Sequence, residues 1–266
     1  MYDTQSANSI ITRHLSEIER HHKVTILWAV ENGSRAWGFE SPDSDYDVRF
    51  VFYHPQEEYT KIRSPLDQVH MSRLDGSGMD LDFVGFDILK FSRLLIKTNP
   101  NMIEWCKSSE VYRGVVNPAM LTWIEENFNP IALYNAYRSI AYNSYTKYIK
   151  SGKLNTYKKH LYVIRGILNA LYVVIFEGIP PMKFNYLRTN MSEYFPHTLG
   201  DSVNWIFKMK REHKEREPVG DDKHMHNLER FYKLFFKLTL DVPIRQVREF
   251  DHIDREIQTI IRGVVE

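Results

Sequence analysis

The sequence predicts an α+β protein: a small mixed sheet with helices up to about residue 115, then an all-α part over 116–266. Three observations carry that expectation. Residues 45–53 alternate, with Tyr46, Val48, Phe50 and Phe52 set against Asp45, Asp47, Arg49 and Val51, which is the two-residue period of a strand. Residues 79–86 alternate again, behind the turn signal Asp75-Gly76-Ser77-Gly78. Beyond Asn129 the apolar residues recur at helical spacing, and caps replace turns.

In chain order, residues 8–22 read as an opening helix and 24–30 as the first strand, which runs into a turn at Gly33-Ser34. The strand 45–53 follows, then a loop over 54–65, then a hairpin of roughly 68–74 with 79–86. Asp87 is placed to cap a helix over 88–98, and Asn99-Pro100 stops it, because proline disfavours helical backbone in the residue before it. Asn129-Pro130 combines a cap with proline at the first helical position and opens a helix running to Gly152. Asn155-Thr156 opens the next, ending near Gly178 before Pro180-Pro181. Further helices are expected over 205–213, 225–240 and 245–262. Residues 208–217 carry dense charge of both signs and read as a solvated helix end leading to a mobile loop at Pro218-Val219-Gly220.

Composition narrows the class. With 266 residues, 43% of them hydrophobic, the chain has room for two cores. The lone cysteine excludes an internal disulfide and fits a reducing compartment. Cys106 lies in the helical pattern NMIEWCKSS and reads as a small core residue rather than a catalytic thiol. No apolar run reads as long enough to span a membrane, and the N-terminus lacks a charged-then-apolar signal profile, so a cytosolic protein without membrane contact is expected. The 11 histidines raise the question of zinc. His21-His22 and His224-x-His226 lack companion cysteines or a His-Glu-x-x-His spacing, and read as solvated.

A net charge of +1 gives no global attraction to nucleic acid, but the charge is unevenly spread. From Asn127 through Phe176 there is no acidic residue, while Arg138, Lys147, Lys150, Lys153, Lys158, Lys159 and Arg165 fall inside, interleaved with tyrosines. Basic groups neutralise phosphates and aromatic faces stack on unpaired bases, so the segment reads either as an RNA track or as two tyrosine-rich core helices with solvated lysines. Lys158, Tyr162 and Arg165 share one helix face. The run LYVIRGILNAL leaves Arg165 few alternatives to a partner. Lys90, Arg93 and Lys97 have the spacing of an ordinary exposed face and are weaker candidates.

The chemistry concentrates where Gly33-Ser34 is followed, after ten residues, by Asp45-Tyr46-Asp47. Triphosphates need close backbone N–H groups, and glycine permits close approach. Closely spaced carboxylates supply the hard oxygen ligands that Mg²⁺ prefers. A third carboxylate is expected from the strand 79–86, where Asp80 and Asp82 share a face. Asp82 is preferred because it lies deeper in the apolar run, while Asp80, nearer the turn, reads as solvated. Asp43 reads as a turn former with Pro42 and Ser44. An Asp-x-Asp pair alone carries little; order, strand context and the third acid carry the signal.

These residues, in GSRAWGFESPDSDYDVRFVF, together with LDFVGFDILKFSRLLIKTNPNMIEW and KKHLYVIRGILNAL, resemble the RlaP family of RNA-repair-associated nucleotidyltransferases in the polymerase-β superfamily. The likeness runs from about residue 33 to about 187. It implies a polymerase-β-like catalytic domain over 1–115 and a helical domain over 116–266 that closes the cleft. It implies a nucleotidyl group moved from an NTP, with two Mg²⁺ ions, or Mn²⁺ in their place, held by Asp45, Asp47 and Asp82. Gly33, Ser34, Arg35, Lys158, Tyr162 and Arg165 would bind the nucleotide. An RNA 3′ end is the expected acceptor, with a protein or small-molecule acceptor as the alternative and a non-catalytic nucleotide or RNA sensor as a third reading.

Overall fold

The structure, a computed structural model, describes residues 4–74, 78–212, 217–220, 222–243 and 255. Helix α1 (Thr4–His22) leads into strand β1 (Thr25–Asn32), and a single helical turn, α2 (Gly33–Trp37), follows at once. Strand β2 (Tyr46–Tyr53), a short 3-10 turn over Gln56–Thr60, β3 (Gln68–Leu74) and β4 (Asp80–Asp87) come next. Then follow α3 (Ile88–Ile96), α4 (Pro100–Lys107), β5 (Val111–Gly114) and α5 (Pro118–Asn127). Residues 75–77 of the expected β3–β4 turn lie outside the described residues.

The strand order is β3-β4-β2-β1-β5, with β2 and β4 parallel and every other pair antiparallel, which makes the sheet mixed as expected. In α1, Ala7, Ile11, Leu15 and Ile18 fall on one helical face and pack against Val48, Phe50, Phe52, Leu81 and Phe83. The other sheet face meets aromatic side chains of α3 and α4, with Trp28 against Phe91 at 5.2 Å and Phe86 against Trp105 at 5.0 Å. Covering on both faces explains why Val51 is buried although it sits out of phase with Val48 and Phe50. Cys106 is buried beside Met120, and burial pushes its thiol well above the usual range, as befits a core residue.

Gly85 of β4 has a specific reason to lack a side chain, since a Cβ there would lie 2.1 Å from the fully buried ring of Phe50. Gly85→Ala is expected to lower stability by about 1–3 kcal/mol, the usual cost of overpacking, in chemical denaturation. A loss below a few tenths of a kcal/mol would show that the Phe50 ring moves aside freely.

The chain divides into two compact units. The sheet unit takes in Asp45–Phe128 and the chain up to Ala36, so β5 and α5 belong to it. The helical unit contains the excursion Trp37–Ser44 and the stretch Asn129–Arg245. It is built from α6 (Pro130–Ser144), continued by a π-helical turn over Tyr145–Lys150, and from α7 (Tyr157–Phe176). Helices α8 (Phe184–Met191), α9 (His197–Glu212) and α10 (Lys223–Phe235) follow. Asn129 and Thr156 cap α6 and α7 as expected, accepting from the N–H groups of Ala132 and Lys159. The helix expected over 245–262 lies, apart from Arg255, outside the described residues.

Three expectations for the helical unit are corrected. Residues 208–217 are not uniformly solvated, because Lys210 is wholly buried and its ammonium donates to Ser41 Oγ at 2.7 Å. The loop at Pro218-Val219-Gly220 is tied down, with Thr156 bridging Pro218 and the Val219 N–H donating to the Asn155 carbonyl at 2.9 Å. Helix α7 is also long and apolar enough to cross a membrane by length and composition, contrary to the sequence reading, but 61% of its apolar window is buried in the fold.

Candidate active site

β1 runs through a buried stretch, Ala29-Val30-Glu31-Asn32, to Gly33, whose φ of +63° only glycine adopts without strain. A Cβ on Gly33 would lie 1.9 Å from Asp47 Oδ2. The group this glycine lets approach is therefore the protein's own carboxylate. Gly33 and Ser34 are themselves buried.

On the sheet, Asp47 of β2 and Asp82 of β4 are direct partners in the parallel register, so their carboxylates rise side by side from one face. Arg49, two residues along β2 on the same face, lies between them: its Nη2 donates to Asp47 Oδ1 at 2.6 Å and to Asp82 Oδ2 at 2.9 Å. Its Nη1 also donates to the Asp82 carbonyl at 2.8 Å. Two carboxylates this close repel, and a shared cation offsets that repulsion. On the far side, His70 Nε2 and Ser72 Oγ of β3 each donate to Asp82 Oδ1 at 2.9 Å. Burial raises the Asp82 carboxyl, but the His70 bond, the Arg49 charge and the Ser72 bond outweigh it and hold Asp82 below the usual range.

Asp45 stands one residue before β2, and its carbonyl accepts from Arg35 Nε at 3.0 Å. The Arg35 guanidinium lies 3.9 Å over the ring of Tyr46. Asp80 is exposed at the start of β4, opposite Leu74. Among the described residues, no three His, Cys, Asp or Glu side chains converge as a metal site. The arrangement thus brings Asp47 and Asp82 together through Arg49, with Asp45 next to Asp47's neighbour in the chain.

A second layer sits behind Asp47. Glu31 is buried, and its Oε1 accepts from the Asp47 N–H at 2.8 Å while the Tyr112 hydroxyl of β5 donates to Oε2. The Ser108 hydroxyl donates to the Glu31 carbonyl at 2.7 Å. Burial pushes the Glu31 carboxyl up to about 7, with the Tyr112 and Asp47 hydrogen bonds opposing the shift and the Asp47 charge adding to it. The linkage has a definite sign. A carboxyl titrating near 4.5 unfolded and near 7 folded stabilises the fold fully at low pH, and that contribution is lost as pH rises through this window. Metal-free protein in chelator should therefore lose up to about 3 kcal/mol between pH 4.5 and 7 through Glu31. Glu31→Gln should flatten that part of the profile in denaturation at pH 5 and 7.5, and equal slopes in both proteins would refute the assignment.

Glu31, Arg49, His70, Ser72 and Tyr112 were all missed from sequence. The signal for Glu31 was a charged residue inside the apolar run before Gly33. For His70 and Ser72, two polar residues at alternate positions of a strand, only the pairing with β4 reveals the purpose.

The remaining predicted residues lie in the helical unit. Arg165, buried in α7, has its guanidinium 4.0 Å from the ring of Trp37, and Tyr162 meets the same ring edge-on at 5.4 Å. The Lys158 ammonium is 5.9 Å from the Tyr162 ring. Trp37 and its neighbours explain the ten-residue spacing of the motif: between the glycine turn and the aspartates the chain passes into the helical unit. There Phe39 packs on Phe184 and Ser41 receives Lys210. The acid-free segment divides between its two readings. Tyr134, Tyr137, Tyr145 and Tyr157 are buried core residues, while Tyr142 is exposed and Tyr148 lies 4.3 Å beneath the Lys159 ammonium.

The family model described as RlaP, RNA repair pathway DNA polymerase beta family, matches residues 7–252. An uncharacterized protein of Bacillus subtilis (strain 168), YcgL, is 36% identical over 183 residues, which is 68% of either chain. Among solved structures, a nucleotidyltransferase-like protein from Exiguobacterium sibiricum 255-15 aligns over 95% of this chain and 71% of its own, at 11% identity and a TM-score of 0.30.

Proposed function

The chain belongs to the RNA repair pathway DNA polymerase beta family, RlaP, and from that premise we propose that it is a Mg²⁺-dependent nucleotidyltransferase acting on an RNA 3′ end. The observation that carries the reading is the in-register pair Asp47 and Asp82, held around one shared cationic group beside a glycine that leaves room for the carboxylate. The donor set is hard oxygen, and the place between the two acids already accommodates positive charge, both of which fit a divalent cation. Asp47 and Asp82 would hold it, with Asp45 completing the set. Bound there, Mg²⁺, or Mn²⁺ in its place, would neutralise phosphate charge and polarise the α-phosphoryl group.

The protein's own groups supply the rest. Glu31 fixes the backbone of Asp47, so its carboxylate keeps one orientation. His70 and Ser72 hold the Oδ1 edge of Asp82, and the ionised Asp82 orients the acceptor hydroxyl by accepting its hydrogen bond. The acceptor oxygen then bonds to the α-phosphorus as the bond to pyrophosphate breaks, and the hydroxyl proton passes by way of the Asp82 hydrogen bond to bulk water. Arg49 must give up part of its hold on the acids when cation binds, and is then placed to donate to a phosphate oxygen. In the helical unit, the Trp37, Tyr162 and Arg165 cluster offers the ring faces and guanidinium that suit a base or a phosphate.

The test is incubation with each α-labelled NTP, Mg²⁺ and either total RNA or total protein. Label in RNA, abolished when the RNA's 3′ ends are oxidised with periodate before the reaction, is the expected result. Label confined to protein would move the acceptor to a protein hydroxyl, and none in any fraction would remove the transferase reading.

A further inference from the structure

On the face of the sheet that α1 covers, opposite the face carrying the acid pair, a cavity of about 590 Å³ lies between the C-terminal half of α1 and the edge strand β3. It is lined by Glu17, Arg20, His21 and His22 from the helix and by His70, Met71 and Arg73 from the strand, with Ile18 at its base. Nothing in the reading of the acid pair uses Arg20, His21, His22 or Arg73. We propose that this groove is the track for the acceptor's sugar-phosphate strand, a single-stranded nucleic acid whose 3′ end passes over the β3 edge to Asp82 on the opposite face. The proposal rests on the transferase reading above for its direction, though not for the binding itself.

The lining chemistry favours phosphate. Arg20 and Arg73 are exposed and permanently charged. The one acid, Glu17, is engaged by His14 at 3.0 Å and lies 3.9 Å from Arg73, and the His14 hydrogen bond, with the Arg73 charge adding to it, holds its carboxyl below the usual range. Guanidinium groups bind phosphate oxygens in pairs. The rings of His21 and His22 meet edge-on at 4.8 Å, and such ring faces are surfaces on which unpaired bases stack. A small apolar ligand is disfavoured, since the wall is mostly charged and polar.

Position completes the argument. Met71 and Arg73 line the groove on the α1 face, while His70, out of phase with them on the same edge strand, borders the groove and donates to Asp82 Oδ1 at 2.9 Å on the opposite face, so the β3 edge connects the groove with the carboxylate assigned to the acceptor hydroxyl. Because β3 is the edge of the sheet, no further strand closes that side among the described residues. An acidic protein segment would use the same arginines but not the histidine faces.

The experiment is fluorescence anisotropy of a labelled single-stranded RNA oligonucleotide with the full chain, at several salt concentrations. Arg20→Glu/Arg73→Glu is compared with wild type and with the charge-conserving Arg20→Lys/Arg73→Lys. The reversal should weaken RNA binding at least tenfold at low salt and reduce the slope of log affinity against log salt by about 1.4, two single-strand phosphate contacts. The lysine variant should stay within a few-fold of wild type. Mg–NTP binding, measured by calorimetry, should be equal in all three. RNA affinity unchanged in the glutamate variant would overturn the proposal, as would wild type without salt-dependent RNA binding. Loss of binding to a polyglutamate peptide, with RNA binding intact, would assign the groove to an acidic protein instead. If RNA binding falls as expected but no nucleotide is ever transferred, the track stands and the transferase reading fails.

Discussion

Asp47→Asn and Asp82→Asn should each lower nucleotidyl transfer by at least about 10²–10³-fold, the scale seen when one preorganised electrostatic group is removed from a reacting centre. Each change takes a full negative charge from the pair that holds the cation, while the amide keeps the side chain's size. The structure also sets the stability effect. Since Arg49 bridges both acids, the loss of either one removes a charge-assisted bond of 2.6 or 2.9 Å. Metal-free stability should therefore fall, by about 1 kcal/mol because the amide oxygen can still accept. Relief of carboxylate repulsion alone would have predicted a small gain, but the intervening guanidinium already removes that repulsion. The measurements are initial rates with Mg–NTP and melting curves with and without Mg²⁺, where the wild type's Mg²⁺-dependent rise should vanish in both variants. Full activity in both would remove these acids from the chemistry.

The sheet was legible because its strands announce themselves twice, through the alternation of 45–53 and of 79–86 and through the turn residues around them. β5 was not, since four residues at an edge, Val-Tyr-Arg-Gly, are too few to show a period. Helix starts were legible wherever Asn-Pro was read as a beginning. Asn129-Pro130 opens α6 as expected. Asn99-Pro100 does more than stop α3, because Asn99 also caps α4, accepting from the Asn101 N–H at 2.9 Å. Asn117-Pro118 carries the same signal and opens α5. One dipeptide can end one helix and begin the next, because the extended residue before proline is also the conformation of a cap.

In the site, the acids were legible and their partners were not. Asp45, Asp47 and Asp82 stand out because carboxylates on alternating strands need a reason. Arg49 also belonged to the alternation, but its place between Asp47 and Asp82 depends on which strand lies beside β2, and on that pairing being parallel. Lys210 shows the same limit more sharply. Its sequence surroundings are a run of charges, and only the excursion of Trp37–Ser44 into the helical unit supplies the Ser41 that justifies burying it. Sequence patterns reveal what faces a core, whereas long-range polar partners follow from topology.

Gly33→Ala should be nearly as damaging to activity as the loss of Asp47, although alanine adds a single carbon. Two costs combine. The backbone at Gly33 has φ of +63°, where a non-glycine residue is strained by about 1–2 kcal/mol. The new Cβ would also stand 1.9 Å from Asp47 Oδ2 and 2.8 Å from its Cγ, so the carboxylate must leave its place beside Arg49. The Asp47 backbone cannot retreat with it, because its N–H is held by the buried Glu31 at 2.8 Å. Valine would aggravate the clash, while Ser34→Ala, which leaves the glycine intact, should be much milder. A double-mutant cycle separates the two costs. In an Asp47→Ala background the clash with the carboxylate is gone, so Gly33→Ala should cost only the backbone strain. Its effect on stability should then shrink by about 1 kcal/mol or more against the same change in wild type. An identical cost in both backgrounds would mean that the glycine serves the turn alone. A reduced cost would mean that this position is kept free of a side chain for the sake of the catalytic carboxylate.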